Sequence, residues 1–574
     1  MNARTTRPLL QRPLPEATLP DAFPQLDPLL ARLYRSRGVT SAAELDYSLR
    51  RLAPVSALAH VEQGVDLLLR NREHRIMVIG DFDADGATST ALVLRCLRAF
   101  GFADVSYLVP NRFDFGYGLT PQIVQVAAAR SPALLLTVDN GVSSIDGVSE
   151  AAQLGIEVLV TDHHLPGAEL PAAACMINPN LPDSLFPSRH LAGVGVAFYL
   201  MAALGRRLEH DGQAGAARIP AKFLYLVALG TVADVVLLDH NNRILVYQGL
   251  ARIRAGQGVP GINALLQQAG KSLSRAVSTD LGFAAGPRLN AAGRLEDMSI
   301  GIECLLTDDA DTASGLASTL DDINKERRSI ESNMREQAFA FVDAIDAGRV
   351  PACVCVYEDG WHQGVVGLIA ARVRERCHRP VIAFAPDRDG ELKGSARSIA
   401  GIHIRDLLEA VSTAKPGLIR KFGGHAMAAG LSIAASDLPE FSTEAVRQLE
   451  RLYPDADFSG AILTDGNLPA ASLTLSFAAK LRNAGPWGAG FPEPLFSGDF
   501  QIVEQRTVGD NHLKLRVQPV NASKTLDAIA FNQAGPAFRG VVRLTYRLDV
   551  NEYRGFESAQ LIVEQIVSLE QNST

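Results

Sequence analysis

The chain is 574 residues long, 47% hydrophobic and 21% charged, with a formal net charge of −8. At about 150 residues per domain this length calls for three or four cores, and the balance of apolar and charged residues is that of a soluble globular protein. No uninterrupted apolar run is long enough to span a bilayer, and a net negative charge offers no global attraction to nucleic acid, so a polyanion would need a local basic groove.

Residues 1–70 are punctuated by proline, helical in patches, and carry no readable chemical motif. The opening MNARTTRPLLQRPLPEATLP has basic residues without the apolar segment of a secretory signal, so a cytoplasmic location is expected. From residue 75 the pattern becomes strand, loop, helix. IMVIGDFDADGATSTALVLRCL sets Asp81, Asp83 and Asp85 directly after the buried-strand pattern of Ile76, Val78 and Ile79, and predicts a helix over 87–100 closed by Gly101. PALLLTVDNG and IEVLVTDHH repeat the theme, each an apolar run followed at once by an acid, with the helical spacers TPQIVQVAAA and SIDGVSEAAQLG between them. Apolar runs alternating with helices predict a parallel sheet covered on both faces, in which ligands collect beyond the strand carboxyl ends.

Residues 308–346 contain almost no glycine or proline and predict a long connecting helix. Over 352–433 the α/β pattern resumes, with strands in ACVCVYE and PVIAFAP, a helix in VVGLIAARVRER and a glycine-rich KFGGHAMAAG. After YPDAD, the short alternating segments HLKLRVQPV, LDAIAF, VRLTYRLDV and QLIVEQIV predict a small all-β barrel of about 110 residues. The six scattered cysteines, Cys96, Cys175, Cys304, Cys353, Cys355 and Cys377, read as buried free thiols.

Three alternating aspartates pose an electrostatic problem. At about 4 Å and an effective dielectric of 20, each ionised pair repels by about 4 kcal/mol. A calcium loop would require a glutamate six residues after Gly86 and flanking helices; position 92 is Leu92 and a strand precedes. Two further strand ends carry Asp139 and the run Asp162, His163, His164, and Asp234 ends an apolar helical stretch. Carboxylates with an imidazole suit divalent ions such as Mg²⁺ or Mn²⁺, and two such ions would offset the repulsion and fit phosphate-ester hydrolysis. Arg112, Arg288 and Arg397 fall in glycine-rich or turn-like loops, where guanidinium forks can meet phosphate oxygens. Trp361 and His362 precede a helix start suited to an anion, Trp361 being equally readable as a core aromatic. In the barrel, Phe531, Tyr546, Tyr553 and Phe556 are candidate base-stacking residues, half of them expected in the core.

DFDAD, VDN, DHH and ADVV, in this order and spacing, resemble motifs I to IV of the DHH phosphoesterase superfamily, and KFGGHAMAAG resembles the glycine–histidine motif of its companion DHHA1 domain. NRFDFGYGLT, GPRLNAAGRL, WHQGVVGLIAARV, GSARS and the C-terminal β-domain are similar to the bacterial RecJ family. The resemblance implies a DHH domain over 71–307 after an N-terminal region 1–70, a connecting helix 308–347, an α/β DHHA1 domain over 348–452 and an OB-like nucleic-acid-binding barrel over 457–570. It implies a two-metal 5′-to-3′ exonuclease that degrades single-stranded DNA to mononucleotides in repair and recombination, the strand threaded between the DHH and DHHA1 domains.

By the same resemblance Asp83 and Asp139 hold one metal, and Asp85, Asp139, His163 and Asp234 the other. Asp139 then bridges the two ions. Asp81 stands in where relatives with small substrates often carry a histidine four residues before the first motif acid, a position that is Ile79 here. His164 would face the scissile phosphate as a catalytic group, and Ser395, Arg397 and His425 would line the DHHA1 face with Arg112 and Arg288 as further substrate contacts. Implied partners are single-stranded DNA, a single-strand-binding protein and a helicase, for a monomeric protein off the membrane. The alternative within the superfamily is a phosphodiesterase for short oligoribonucleotides or cyclic dinucleotides, whose members typically lack the long N-terminal region and the third domain. An inert scaffold is disfavoured by the complete acid and histidine set, which would be costly to keep without metals.

Overall fold

The apolar runs form one sheet. In the computed structural model, which describes residues 6–14, 23–110, 115, 117–345, 350–509, 511–535 and 537–569, the strands Asp104–Leu108, Arg75–Ile79, Leu134–Val138, Glu157–Thr161 and Cys175–Ile177 lie side by side in that order, and every pair is parallel. Side chains alternate between faces along each strand. Met77, Ile79, Leu135, Val158 and Val160 pack with Ile123, Val124 and Val148 of the helices Pro121–Ala128 and Ile145–Gln153. On the opposite face Leu159 and Ile177 reach Gly64 of the helix Val61–Arg70, beside Leu200 of the helix Gly193–His210. From Arg75–Ile79 the chain goes first to one neighbouring strand and then to the other, so the switch in strand order lies between Arg75–Ile79 and Leu134–Val138. A crevice opens at the carboxyl ends at such a point, and Asp81 and Asp139 follow these two strands.

The chain divides into two compact units. The first comprises Met1–Leu289, Met298–Ala317 and Ala461–Thr574, and the second comprises Asn290–Asp297 and Ser318–Gly460.

Besides the parallel sheet, the first unit holds the barrel. Strands Phe496–Val508, His512–Pro519, Leu526–Ala530, Phe556–Ser568 and Val541–Tyr553 close in that order into a ring, which removes the exposed strand edges of an open sheet. The barrel is not all β. The helix Leu475–Asn483 places Phe477, Ala478 and Leu481 in its core, and Leu33 of the helix Pro28–Arg35 joins them. The strand Phe496–Val508 escaped the sequence reading because few of its residues are buried and apolar–polar alternation is weak along it. The N-terminal region is tied to this end of the chain. Leu9–Gln11 pairs in parallel with Ile462–Thr464, and the buried Asp465 takes both terminal nitrogens of Arg37, each at 2.9 Å, and the amide of Leu495 at 3.0 Å.

The second unit is built on a mixed sheet in the order Lys421–Gly424, Ala428–Ala434, Glu391–Arg397, Val381–Pro386, Val354–Tyr357, with only the last pair parallel. Ile382 and Phe384 point to the core beneath the helices Ile404–Ala414 and Leu438–Leu452. Val381, Ala383 and Ala385 point the other way, to the helix Val366–Cys377 and to Met334, Ala338 and Val342 of the 35-residue helix Ala310–Ala344. All six cysteines are free; Cys355 and Cys377 are half-buried and the others buried.

Candidate metal centre and anion sites

The first acids are placed by a helix that starts three residues earlier than its apolar pattern. It spans Ala84–Phe100, with Gly101 closing it in the left-handed region. Asp83 is its N-cap, and one oxygen, Oδ1, accepts from the amides of Asp85 at 2.9 Å and Gly86 at 3.0 Å. This local bonding extends the helix past the polar run, as side-chain capping does. Asp81 Oδ1 accepts from the Phe82 amide at 2.8 Å. A Cβ on Gly86 would sit 2.5 Å from the Asp81 carbonyl oxygen, so only glycine lets the loop fold this tightly.

Asp85, inside the first helical turn, reaches the amino end of another helix. Its Oδ2 accepts from Gly193 N at 2.6 Å and its Oδ1 from Val194 N at 2.9 Å, at the start of Gly193–His210. These amides and the positive end of the helix dipole stabilise a buried carboxylate. Asp139 leaves the strand Leu134–Val138 with φ of 64°, a strained conformation for a residue with a side chain. Asn140 ties this turn across the switch point by donating to Ile79 O at 3.1 Å and Val138 O at 2.9 Å. A Cβ on Gly193 would fall 2.6 Å from Asp139 Oδ1, and one on Gly230 2.8 Å from Asp85 Oδ1. Asp234 caps the carboxyl end of Leu224–Ala233.

These elements bring the acids and histidines together. The potential ligand atoms of Asp81, Asp83 and Asp139 lie within 4.8 Å of one another, as do those of Asp85, His163 and Asp234, and those of Asp139, His163 and His164. His163 Nε2 is 3.1 Å from Asp139 Oδ1, 3.6 Å from Asp234 Oδ2 and 4.0 Å from Asp85 Oδ2. Asp85 is 1% exposed and Asp139 2%. Burial, then the charges of Asp234 and Asp83, push the Asp85 carboxyl well above its usual range. Burial and the charges of Asp85, Asp83 and Asp81 do the same to Asp139, and burial with the charge of Asp83 lifts Asp234 to about 7. Three acids that hold protons because they are buried and face further like charges are a donor set suited to divalent cations, which neutralise the same charge without protons. The residues fit two small divalent ions.

His164 is set apart from this group by Asp162. Burial works against charge on both, yet their 2.8 Å contact prevails, lowering the Asp162 carboxyl to about 2 and raising the His164 imidazole to about 9. Asp162 also accepts from the amides of Val142, His163 and His164, and Asn178 and Asn180 donate to the carbonyls of His164 and His163. Tyr117 lies edge-on to His164, with its hydroxyl 3.3 Å from the ring nitrogens. Asp162 is named in the sequence only as the acid that opens the histidine run, with no role of its own, and Tyr117, in the NRFDFGYGLT stretch, is not singled out there.

The basic residues divide. Arg112 lies outside the described residues. Arg288 is not in a loop: it lies within the helix Gly286–Leu295, is buried, and donates to Ala284 O at 2.8 Å. Glycine and proline around it mark a helix start after a π-helical turn, Leu281–Ala285. In the second unit Arg397 ends the strand Glu391–Arg397 and donates to Ser395 Oγ at 3.0 Å. A Cβ on Gly367, in the first turn of Val366–Cys377, would meet Arg397 Nη2 at 2.9 Å and Ser395 Oγ at 3.0 Å. Burial and the nearby Arg374 hold Arg397 below its usual value, so a guanidinium, a hydroxyl and a helix start converge where an anion would relieve excess positive charge. His425 sits in the turn between the two strands that follow, its amide donating to Ala428 O, and Ala428 pairs with Arg397. Trp361 is core, donating to Gln337 at 2.9 Å. Tyr546 is also core, whereas Phe531 and Phe556 are exposed.

Three family matches follow the chain: the DHH family, N-terminal domain, over residues 75–231; the DHHA1 domain over 349–451; and the RecJ OB domain over 464–565. The chain is 52% identical over 572 residues to the single-stranded-DNA-specific exonuclease RecJ of Dickeya dadantii, covering 97% of this chain and 98% of that protein. It is 51% identical over 554 residues to the protein of the same name from Escherichia coli, covering 94% and 96%. A solved structure of RecJ from Thermus thermophilus in complex with Mn²⁺ matches with a TM-score of 0.79 at 29% identity, covering 98% of this chain and 80% of that one. The Mg²⁺ complex from the same organism matches with a TM-score of 0.74 at 28% identity, covering 98% and 78%.

Proposed function

The chain belongs to the RecJ family of DHH phosphoesterases, and from that premise we propose that it is a two-metal exonuclease degrading single-stranded DNA from the 5′ end to mononucleotides. The observation that carries this reading is the convergence of Asp81, Asp83, Asp85, Asp139, His163 and Asp234 at the switch point of the parallel sheet, in a chain whose near-full-length relatives are named for that activity.

Mn²⁺ or Mg²⁺ is the cofactor. Asp83 and Asp139, with Asp81 beside them, would hold one ion, and Asp85, Asp139, His163 and Asp234 would hold the other. When bound, two such ions act as Lewis acids on the phosphate and lower the pKa of the attacking water. The remaining work falls to the chain. Asp162 fixes the His164 ring and keeps it cationic at neutral pH, so that it stabilises negative charge developing on the phosphoryl oxygens. The Gly193 and Val194 amides hold Asp85 in place when its charge would otherwise drive it toward water. In the second unit Arg397 and Ser395, with His425 nearby, bind a substrate phosphate; Arg112 and Arg288 complete the substrate-binding set, Arg288 through its helix because its side chain is buried. The barrel tracks the single strand with exposed aromatics and bases.

The working context is DNA repair and recombination in the cytoplasm, by a monomer that meets a single-strand-binding protein and a helicase on its substrate. The barrel and the N-terminal region are what a phosphodiesterase for dinucleotides has no need of, so that alternative is set aside. The test is single-stranded and duplex DNA labelled separately at each end, with and without Mn²⁺. Label released as mononucleotide from the 5′ end of single strands alone supports the reading. Equal attack on duplex, or release first from the 3′ end, overturns it.

A further inference from the structure

Two of the metal-centre acids depend on short loops that have neither helix nor strand structure. Asp234 ends the helix Leu224–Ala233, and the chain turns at once, with Val235 at φ of 62°. A β-branched residue in this region is strained and persists only where its surroundings over-determine it. The loop then runs to Asp239, the N-cap of the helix His240–Arg254. Asp85 depends on a second loop, the one before Gly193, because the amides of Gly193 and Val194 hold its two oxygens.

One buried side chain bonds both loops. Asn242, in the first turn of His240–Arg254 and 0% exposed, donates through Nδ2 to His190 O at 2.6 Å and to Leu237 O at 2.9 Å. His190 lies just before Gly193 in the chain, and Leu237 just after Asp234. Asp239 repeats the tie, accepting from the Asn242 amide at 2.9 Å and from Ser188 Oγ at 2.7 Å. Arg243 takes the next carbonyl, Leu238 O, at 3.0 Å.

The amide of Asn242 is spent on this one task. Its Oδ1 is buried and, among the described residues, has no hydrogen-bond partner. An unpaired buried acceptor is a cost to folding, so stability alone is a poor account of an asparagine here. What both donors secure is the backbone that aims Asp234 and the two amides that steady Asp85.

We propose that Asn242 is a positioning residue for the second metal: it sets how tightly the ion on Asp85, Asp139, His163 and Asp234 is held while touching neither ion nor substrate. The inference rests on the two-metal reading and adds to it what fixes the ligands from behind. Groups that orient metal ligands change metal affinity by about 10–100-fold when removed. The other ion takes its geometry from the N-cap bonds of Asp83, which Asn242 does not make.

The test is calorimetric titration of the full-length, metal-free protein with Mn²⁺. The wild type should bind both ions. Asn242→Leu, of similar size but without donors, should weaken one ion by about tenfold or more and the other by less than about threefold. Asn242→Gln keeps both donors one methylene out of place; it should lose less affinity at the same ion, and it decides the matter if Asn242→Leu does not fold. Asn241→Leu is the control on the same helical turn. Asn241 is also buried, but it accepts from Ala53 N and the Tyr199 hydroxyl, each at 2.9 Å. Its loss should lower the unfolding midpoint in denaturant and leave both Mn²⁺ affinities within about twofold, below the range for a group that orients ligands. If the Asn242 variants bind both ions as the wild type does, or lose both equally, or if Asn241→Leu loses as much, Asn242 serves stability alone and the two-metal reading stands. If the wild type itself fails to take up two ions, the two-metal reading fails and this inference falls with it.

Discussion

His163 Nε2 lies 3.1 Å from Asp139 Oδ1, nearer than to Asp234 or Asp85. One imidazole thus faces carboxylates from three separate elements, and Asp139, placed by a left-handed turn, is the acid common to the two flanking ligand groups. From this relationship and from the ion pairs around it, four outcomes are expected.

Asp139→Ala should abolish hydrolysis, by more than the roughly 10–100-fold typical of an outer-sphere change at a metal site. Circular dichroism should show the fold retained, since removing one of several mutually repelling acids relieves charge. Near-normal turnover with Mn²⁺ would remove Asp139 from the site.

Arg397→Ala should raise KM while leaving kcat close to the wild-type value, because a phosphate grip that is not itself a metal ligand contributes equally to ground and transition states. Arg397→Lys should restore only part of the loss, as a point charge cannot reproduce the fork. A fall in kcat at constant KM would place Arg397 at the reacting phosphate instead.

The metal-free protein should lose stability as pH rises. Asp85, Asp139 and Asp234 have folded-state values above the unfolded value near 4, so the folded state binds protons preferentially. Their contribution is intact below about pH 4 and is lost as pH rises through each folded-state value, at about 7 for Asp234. Mn²⁺ replaces those protons, so the gain in unfolding temperature on adding Mn²⁺ should widen between about pH 5 and about pH 7.5. A gain independent of pH would mean that these carboxylates are not the ligands.

Asp465→Asn should destabilise the protein by about 3–5 kcal/mol, because the Arg37 guanidinium, fully buried against it, would be left without its counter-charge. Chemical denaturation measures this directly. Short oligonucleotides should still be cut at the wild-type rate below the unfolding transition, because Asp465 touches none of the site residues. A change under about 1 kcal/mol would show that water reaches Arg37 and that the N-terminal region is held by other contacts.

The parallel sheet, the strand-end acids, the long helix and a terminal barrel were legible in the chain because each is written in local pattern. A buried strand declares itself in a handful of apolar residues, and an acid that follows one is fixed at its carboxyl end. The resemblance in DFDAD, VDN, DHH and ADVV added the roles. Local pattern misled where bonding at an element's end prevailed over propensity: Asp83 caps a helix that begins before the apolar spacing does, and Arg288 lies in a helix whose glycine and proline read as a loop.

What only the tertiary structure decided are the pairings between distant parts of the chain. Asp85 meeting the amides of Gly193 and Val194, Arg37 meeting Asp465, and Asn242 meeting the carbonyl of His190 each depend on packing between segments far apart in the chain. No periodicity encodes such contacts, because a residue's spacing along its own element determines which face it occupies but not what is packed against that face. The pKa shifts follow the same division: the acids are visible in the sequence, while the burial and crowding that keep protons on Asp85, Asp139 and Asp234 arise only when four separate strand and helix ends close on one point.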